Sequence, residues 1–154
     1  MKYPFIDLDK KIEKSEKKPI AEIFQRGENH FRKLEAETLR KTKRYPDAVI
    51  ATGGGTPCFH DNIIWMNENG ITVYLSGKAG ELYHRLLTDR ENRPLLSSLS
   101  DVALLDYIMG ALSQRERFYS LAQLKINMKS ASVPKVVAAV KAAGKKAKSY
   151  KKKR

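Results

Sequence analysis

The sequence predicts an α/β fold, a parallel sheet flanked by helices, and two observations carry the prediction. Short, continuously apolar runs, A-V-I-A at residues 48–51 and I-T-V-Y-L at 71–75, read as parallel strands covered on both faces. Around them, apolar residues recur at three- to four-residue spacing, as on a helix packed along one side. Strands alternating with helices favour parallel pairing in one sheet. At 154 residues the chain holds one compact domain with a real core and is short for two.

Taken in order, residues 3–8 read as a first strand that ends in the acidic pair Asp7 and Asp9. Pro19 stands where a helix can begin, and Ile20, Ile23 and Phe24 follow at helical spacing until Gly27 interrupts them. A second helix is expected over 28–43, with Phe31, Leu34 and Leu39 facing inward. After the strand at 48–51, residues 61–69 resemble a helix closed by Gly70, and the strand at 71–75 precedes a helix at 80–87. The polar stretch T-D-R-E-N-R-P-L-L-S-S-L-S-D, residues 88–101, carries little periodicity and reads as a mobile loop. Helix returns at 102–119, followed by a weak strand at 124–127 and a helix at 133–141.

At 42% hydrophobic and 31% charged residues, the composition is that of a globular domain rather than a disordered or fibrous chain. No apolar run approaches the roughly 20 residues of a membrane helix, and M-K-Y-P-F-I-D-L-D has no secretory h-region. The single Cys58 excludes an internal disulfide, and His30, His60 and His84 lack metal-ligand spacing. The default compartment is therefore cytoplasmic. The net charge of +13 is unevenly spread: residues 135–154 hold nine of the 30 Lys and Arg and no acid, leaving 21 basic against 17 acidic elsewhere. Residues 142–154 are expected to form a basic, disordered tail beyond a domain at 1–141. Sequence-independent contact with polyanions is the alternative use of that tail, but no zinc finger or RNP-type motif accompanies it, so nucleic acid is not an expected partner.

In an open α/β sheet, ligands bind beyond the carboxyl ends of the strands. The first strand ends in Asp7-Leu8-Asp9 and the second in Gly53-Gly54-Gly55. A solvated strand end or helix cap and a tight turn are the bland accounts. Three glycines exceed what a turn needs, and without Cβ they let a small polar molecule approach bare N–H groups. Arg32 precedes Glu35 at i, i+3, which taken alone fits an exposed helix pair. Arg93 lies in the polar loop, and Arg115 and Arg117 close a helix, where the dipole favours cations. Together, arginines, carboxylates and bare amides fit a hydroxylated carboxylate substrate and a phosphoryl donor, because guanidinium binds both anions bidentately.

The ordered set F-I-D-L-D, F-R-x-x-E, V-I-A-T-G-G-G, R-P-L-L and R-x-x-F-Y, from about residue 3 to 140, resembles shikimate kinase, a small-molecule kinase family with a P-loop NTPase fold. The resemblance implies transfer of the ATP γ-phosphoryl to the 3-hydroxyl of shikimate, with Mg²⁺, in chorismate and aromatic amino-acid biosynthesis, by a monomeric enzyme. It implies that Asp7 helps organise magnesium through water. Asp9 would bind the shikimate hydroxyls and position or accept the proton of the reacting one. Arg32 and Arg115 would grip the shikimate carboxylate, Gly54 and Gly55 would offer backbone amides, and Glu35 would organise the arginines. Arg93 would reach from a lid at about 88–101 over the ATP phosphates.

Two features depart from the family pattern. Arg117 stands where the family usually has proline, leaving open which arginine faces the substrate. The string G-x-x-x-x-G-K-[ST] is missing: Gly77-Lys78 and Gly144-Lys145 are each followed by the wrong residue and lack the first glycine. In the family that loop follows a first strand lying between the strand that ends in the glycines and the one reading I-T-V-Y-L. The expectation is a chain that lacks this first strand–loop–helix unit, with an intact shikimate half and weak or no turnover alone. The alternatives are another small-molecule kinase such as a gluconate kinase, a non-catalytic shikimate-binding remnant, and a polyanion-binding protein.

Overall fold

The computed structural model describes residues 3–88 and 99–152. The chain divides into two compact units, residues 1–69 and 70–154.

In the first unit, β1 (Phe5–Asp7) pairs in parallel with β2 (Val49–Ala51), Phe5 opposite Val49 and Asp7 opposite Ala51. Strand β1 runs straight into helix α1 (Leu8–Glu16), and Asp7 both ends the strand and caps the helix, its carboxylate accepting the Lys10 N–H at 3.1 Å. Helix α1 is an addition to the sequence reading. Its apolar signal is only Leu8 and Ile12, one turn apart, and both are fully buried. Helix α2 (Ile20–Phe24) begins after Pro19, and α3 (Glu28–Lys41) after Gly27, whose φ of 102° suits a residue without Cβ. Two short 3₁₀ turns, Thr42–Arg44 and Thr56–Cys58, flank β2, and α4 (Asn62–Asn69) closes the unit. The core is Leu8, Ile12, Ile23, Phe31 and Leu39, with Leu34, Trp65 and Met66 packed against it. Burying each such side chain contributes about 1.5–3 kcal/mol, and that packing, not propensity, holds helices as short as α2.

In the second unit, β3 (Val73–Ser76) pairs in parallel with β4 (Leu124–Asn127). Helices α5 (Ala79–Leu87), α6 (Asp101–Tyr119) and α7 (Val133–Lys152) accompany them. Ser100 caps α6 by accepting the Ala103 N–H. Leu104 and Ile108 of α6 form the buried centre, against Leu82 and Leu86 of α5 and Leu112.

Three expectations need correction. Among the described residues, four strands form two two-stranded sheets, one in each unit, rather than one sheet. The strand at 48–51 is not covered on both faces: Val49 and Ala51 are exposed, as is Phe5 opposite Val49, because a two-stranded ribbon buries only alternate residues here. The basic segment from residue 142 is helical through Lys152, continuing α7 in a stretch rich in alanine and lysine, both good helix formers. The expected lid falls largely on residues 89–98, which lie outside the described residues, and α6 begins at Asp101. No helix among the described residues is long and apolar enough to cross a membrane.

Candidate active site

The first unit gathers Asp9, Arg32, Glu35 and the glycine turn after β2 into one cluster. Arg32 and Glu35 lie one turn apart on α3, and burial overturns the bland account of an exposed pair: Arg32 is 9% and Glu35 1% exposed. The Arg32 Nη1 donates to Glu35 Oε2 at 3.0 Å, while Nε and Nη2 donate to Glu28 Oε1 at 3.2 and 3.0 Å. Two of the guanidinium's five N–H donors remain for a ligand. Three rings surround it, with centroids at 4.4 Å for Phe59, 5.1 Å for Phe31 and 5.8 Å for Phe24. Such a pocket desolvates the cation and so strengthens its hold on a carboxylate.

The glycines fit around this pair. A Cβ on Gly55 would fall 2.6 Å from both Nη atoms of Arg32, so the guanidinium occupies the space a side chain would need. A Cβ on Gly53 would meet Glu35 Oε1 at 3.4 Å and Asp9 Oδ1 at 3.6 Å. Gly54 is exposed. Thr56 donates its hydroxyl to Glu35 Oε1 at 2.6 Å, so both oxygens of this buried carboxylate are satisfied.

Asp9, in the first turn of α1, is different. Its Oδ1 is buried and has no hydrogen-bond partner among the described residues. Burial raises its carboxyl pKa above the ordinary value, the nearby Glu35, Asp7 and Glu13 carboxylates add to that, and Arg32 opposes it. An acid with this environment has a raised proton affinity and an oxygen free to receive a hydroxyl hydrogen.

Of the remaining expected residues, Asp7 stands at the β1–α1 junction as a helix cap. Arg115, on α6 in the second unit, is half-buried and has no ion pair among the described residues. Arg117 is exposed, its guanidinium 4.7 Å from the Phe118 ring centroid. Arg93 lies outside the described residues.

A second layer escaped the sequence reading. Asn62 is fully buried, donating to the Thr56 carbonyl at 2.9 Å and accepting from Arg40 Nη1 at 2.7 Å. Arg40 also donates to the His60 carbonyl at 3.0 Å and lies over Trp65. Arg40 and Asn62 thus tie the loop after the glycines to α3, behind Thr56 and Glu35. The signal available was His60-Asp61-Asn62: His60 and Asp61 have φ of 50° and 52°, a conformation for which these residue types are enriched.

Comparison with known proteins identifies the family. A family model described as shikimate kinase matches residues 1–143. A shikimate kinase of Phocaeicola vulgatus is 44% identical over 124 residues, 80% of this chain and 71% of that protein. One of Bacteroides thetaiotaomicron is 43% identical over 125 residues, again 71% of its length. Among solved structures, a shikimate kinase from Bacteroides thetaiotaomicron superposes with a TM-score of 0.82 at 37% identity, covering 95% of this chain and 84% of that one. A shikimate kinase from Acinetobacter baumannii, in complex with shikimate, superposes with a TM-score of 0.70 at 30% identity, covering 81% and 69%.

Proposed function

The chain belongs to the shikimate kinase family, and from that membership we propose that its first unit is a shikimate-binding half-site. The family's enzymes are ATP-dependent transferases of aromatic amino-acid biosynthesis. In this reading Arg32 binds the substrate carboxylate with its two remaining donors, and Gly54 and Gly55 offer backbone to the ring. Asp9 accepts a hydrogen bond from the reacting hydroxyl and takes its proton on Oδ1 as phosphoryl transfer proceeds. The observation that carries the proposal is the buried Arg32–Glu35 pair beside an Asp9 oxygen that lacks a partner. Of the two arginines near the end of α6, Arg115 rather than Arg117 is the one proposed to bind a substrate carboxylate, a choice supported by the half-burial of Arg115 and the exposure of Arg117. Arg93 acts from the lid on the ATP phosphates.

Magnesium fits in a limited way. The described residues contain no group of three acidic, His or Cys side chains that could cage an ion, and Asp7 already caps α1 through one oxygen. A single carboxylate acting through water suits an ion that keeps most of its waters and is otherwise held by phosphate. When bound, Mg²⁺ supplies charge neutralisation on the nucleotide phosphates.

Catalytic competence is a separate matter. The 154 residues contain no G-x-x-x-x-G-K-[ST] string, whose amides, Lys and hydroxyl hold the phosphates and metal in such kinases. The reading is therefore that these residues alone bind shikimate and turn it over weakly or not at all. Two assays test the two parts. Shikimate titration followed by calorimetry is expected to give saturable heat that Arg32→Ala removes; its absence in the wild type sinks the half-site. Robust ADP release dependent on both ATP and shikimate, from the purified 154-residue chain, would overturn the statement on turnover.

A further inference from the structure

A cavity of about 430 Å³ lies in the first unit and shares no residue with the Asp9–Arg32 cluster. Helix α1 contributes Lys11 and Lys14 at i, i+3, and the end of α3 with the turn after it contributes Lys41 and Arg44, again at i, i+3. Ser15, Tyr45 and the buried Thr38 complete its walls, and no acidic residue lines it. The Lys11 ammonium donates to the Tyr45 hydroxyl at 3.3 Å and sits 4.7 Å from the ring centroid, while the Arg44 guanidinium is 5.0 Å from the same ring. That Lys11 hydrogen bond, reinforced by Arg44, holds the Tyr45 phenol below its ordinary pKa.

The neighbouring cations make the contrast. Arg32 is neutralised by Glu28 and Glu35, and Arg40 is bound to Asn62 and a carbonyl. Lys11, Lys14, Lys41 and Arg44 form no ion pair among the described residues, although they line one cavity. Like charges brought together without a counter-ion repel, and an anion between them converts that repulsion into attraction.

We propose that this cavity, formed where α1 meets the end of α3, is a binding site for a small, multiply phosphorylated anion. A lone carboxylate would leave most of the charge unmatched, whereas several phosphate groups can meet four cations at once. Lysine ammoniums act as point charges on phosphate oxygens, the Arg44 fork can bind bidentately, and the Tyr45 and Thr38 hydroxyls can donate. The volume falls in the range of ordinary small-ligand sites, about 300–1,000 Å³.

The test uses inorganic tripolyphosphate as the probe and the full 154-residue chain with excess shikimate, followed by calorimetry and amide chemical shifts. One saturable site is expected, weakened by about tenfold or more in Lys41→Gln/Arg44→Gln, which removes two charge-assisted contacts. Lys17→Gln/Lys33→Gln removes as much charge from exposed positions of the same unit that do not line the cavity, and is expected to stay within about twofold of wild type. Equal weakening by both variants, or no saturable binding, overturns the proposal. Retention of a DNA duplex that the cavity variant loses, without saturable tripolyphosphate binding, also overturns it. Should the cavity variant fail to fold by circular dichroism, the wild-type shifts decide: changes confined to residues 11–15 and 38–45 support the site, and changes elsewhere refute it.

Discussion

A methyl group at position 55 would come within 2.6 Å of both terminal nitrogens of Arg32, and the guanidinium has little freedom to yield. Glu28 and Glu35 hold its nitrogens, and three aromatic rings surround it. Gly55→Ala is therefore expected to force the glycine turn and the guanidinium apart, and to weaken shikimate binding by about tenfold or more, near 1.4 kcal/mol, in a calorimetric titration. Unchanged affinity would mean that Arg32 does not receive the carboxylate. Asp9 makes a prediction of opposite sign for stability. Its folded pKa is raised, chiefly by burial, so in the window above the ordinary carboxyl value the native state binds more protons than the unfolded chain, and stability falls as pH rises through it. Above that window the ionised Asp9 is a cost to the fold. Asp9→Asn is expected to raise the melting temperature at neutral pH, with the advantage shrinking as pH falls through the raised pKa. Thermal melts across pH check this, and a mutant less stable than wild type at pH 7 would contradict it.

Helix α3 acts as a two-layer support: Arg32 and Glu35 meet the glycine turn, and Arg40 meets the loop beyond it through Asn62. Asn62 is fully buried with both ends of its amide engaged. Asn62→Ala strands the Thr56 carbonyl and leaves Arg40 with its bond to the His60 carbonyl alone, at a cost of about 1–3 kcal/mol for an unsatisfied buried group. A urea midpoint unchanged from wild type would show that the strap is not needed. Element by element, the sequence was readable where apolar spacing was dense: α3, with Phe31 and Leu39 buried, and β4 at 124–127 match expectation. It was silent on α1, where two apolar residues among charged ones leave the period undersampled and the decisive signal was Asp7 as a cap. The site divides in the same way. F-R-x-x-E and the glycines were legible as motifs, but the burial that makes Arg32–Glu35 a pocket wall rather than a surface pair is a tertiary property. Arg40 carries no local pattern, because its partners are about twenty residues away in sequence, and around Asn62 the local signal was His60-Asp61-Asn62 alone.

Across the whole molecule, the parallel strands fall into two ribbons, β1–β2 and β3–β4, each in its own unit. Parallel strands ordinarily sit in larger sheets covered on both faces, and a two-stranded ribbon alone is marginal in water. In these ribbons Phe5 is 68%, Val49 55% and Leu75 50% exposed, and each strand pairs with one neighbour among the described residues. Edges and apolar faces of this kind add little to cooperative stability, which for a typical domain is about 5–15 kcal/mol. The G-x-x-x-x-G-K-[ST] string, which these 154 residues do not contain, normally follows a strand, so one added segment tests the chemical and the structural expectation together. Fusing the strand–loop–helix segment of a shikimate kinase relative ahead of this chain is expected to sharpen thermal unfolding into a single, steeper transition. The same fusion is expected to bring ATP- and shikimate-dependent ADP release. A companion fusion whose loop Lys is replaced by Ala separates the two effects, retaining the sharpened transition while losing turnover, since the Lys contacts phosphate and not the sheet. If the 154-residue chain already unfolds as cooperatively as either fusion, its two ribbons need no further strand, and the structural half of the argument is wrong.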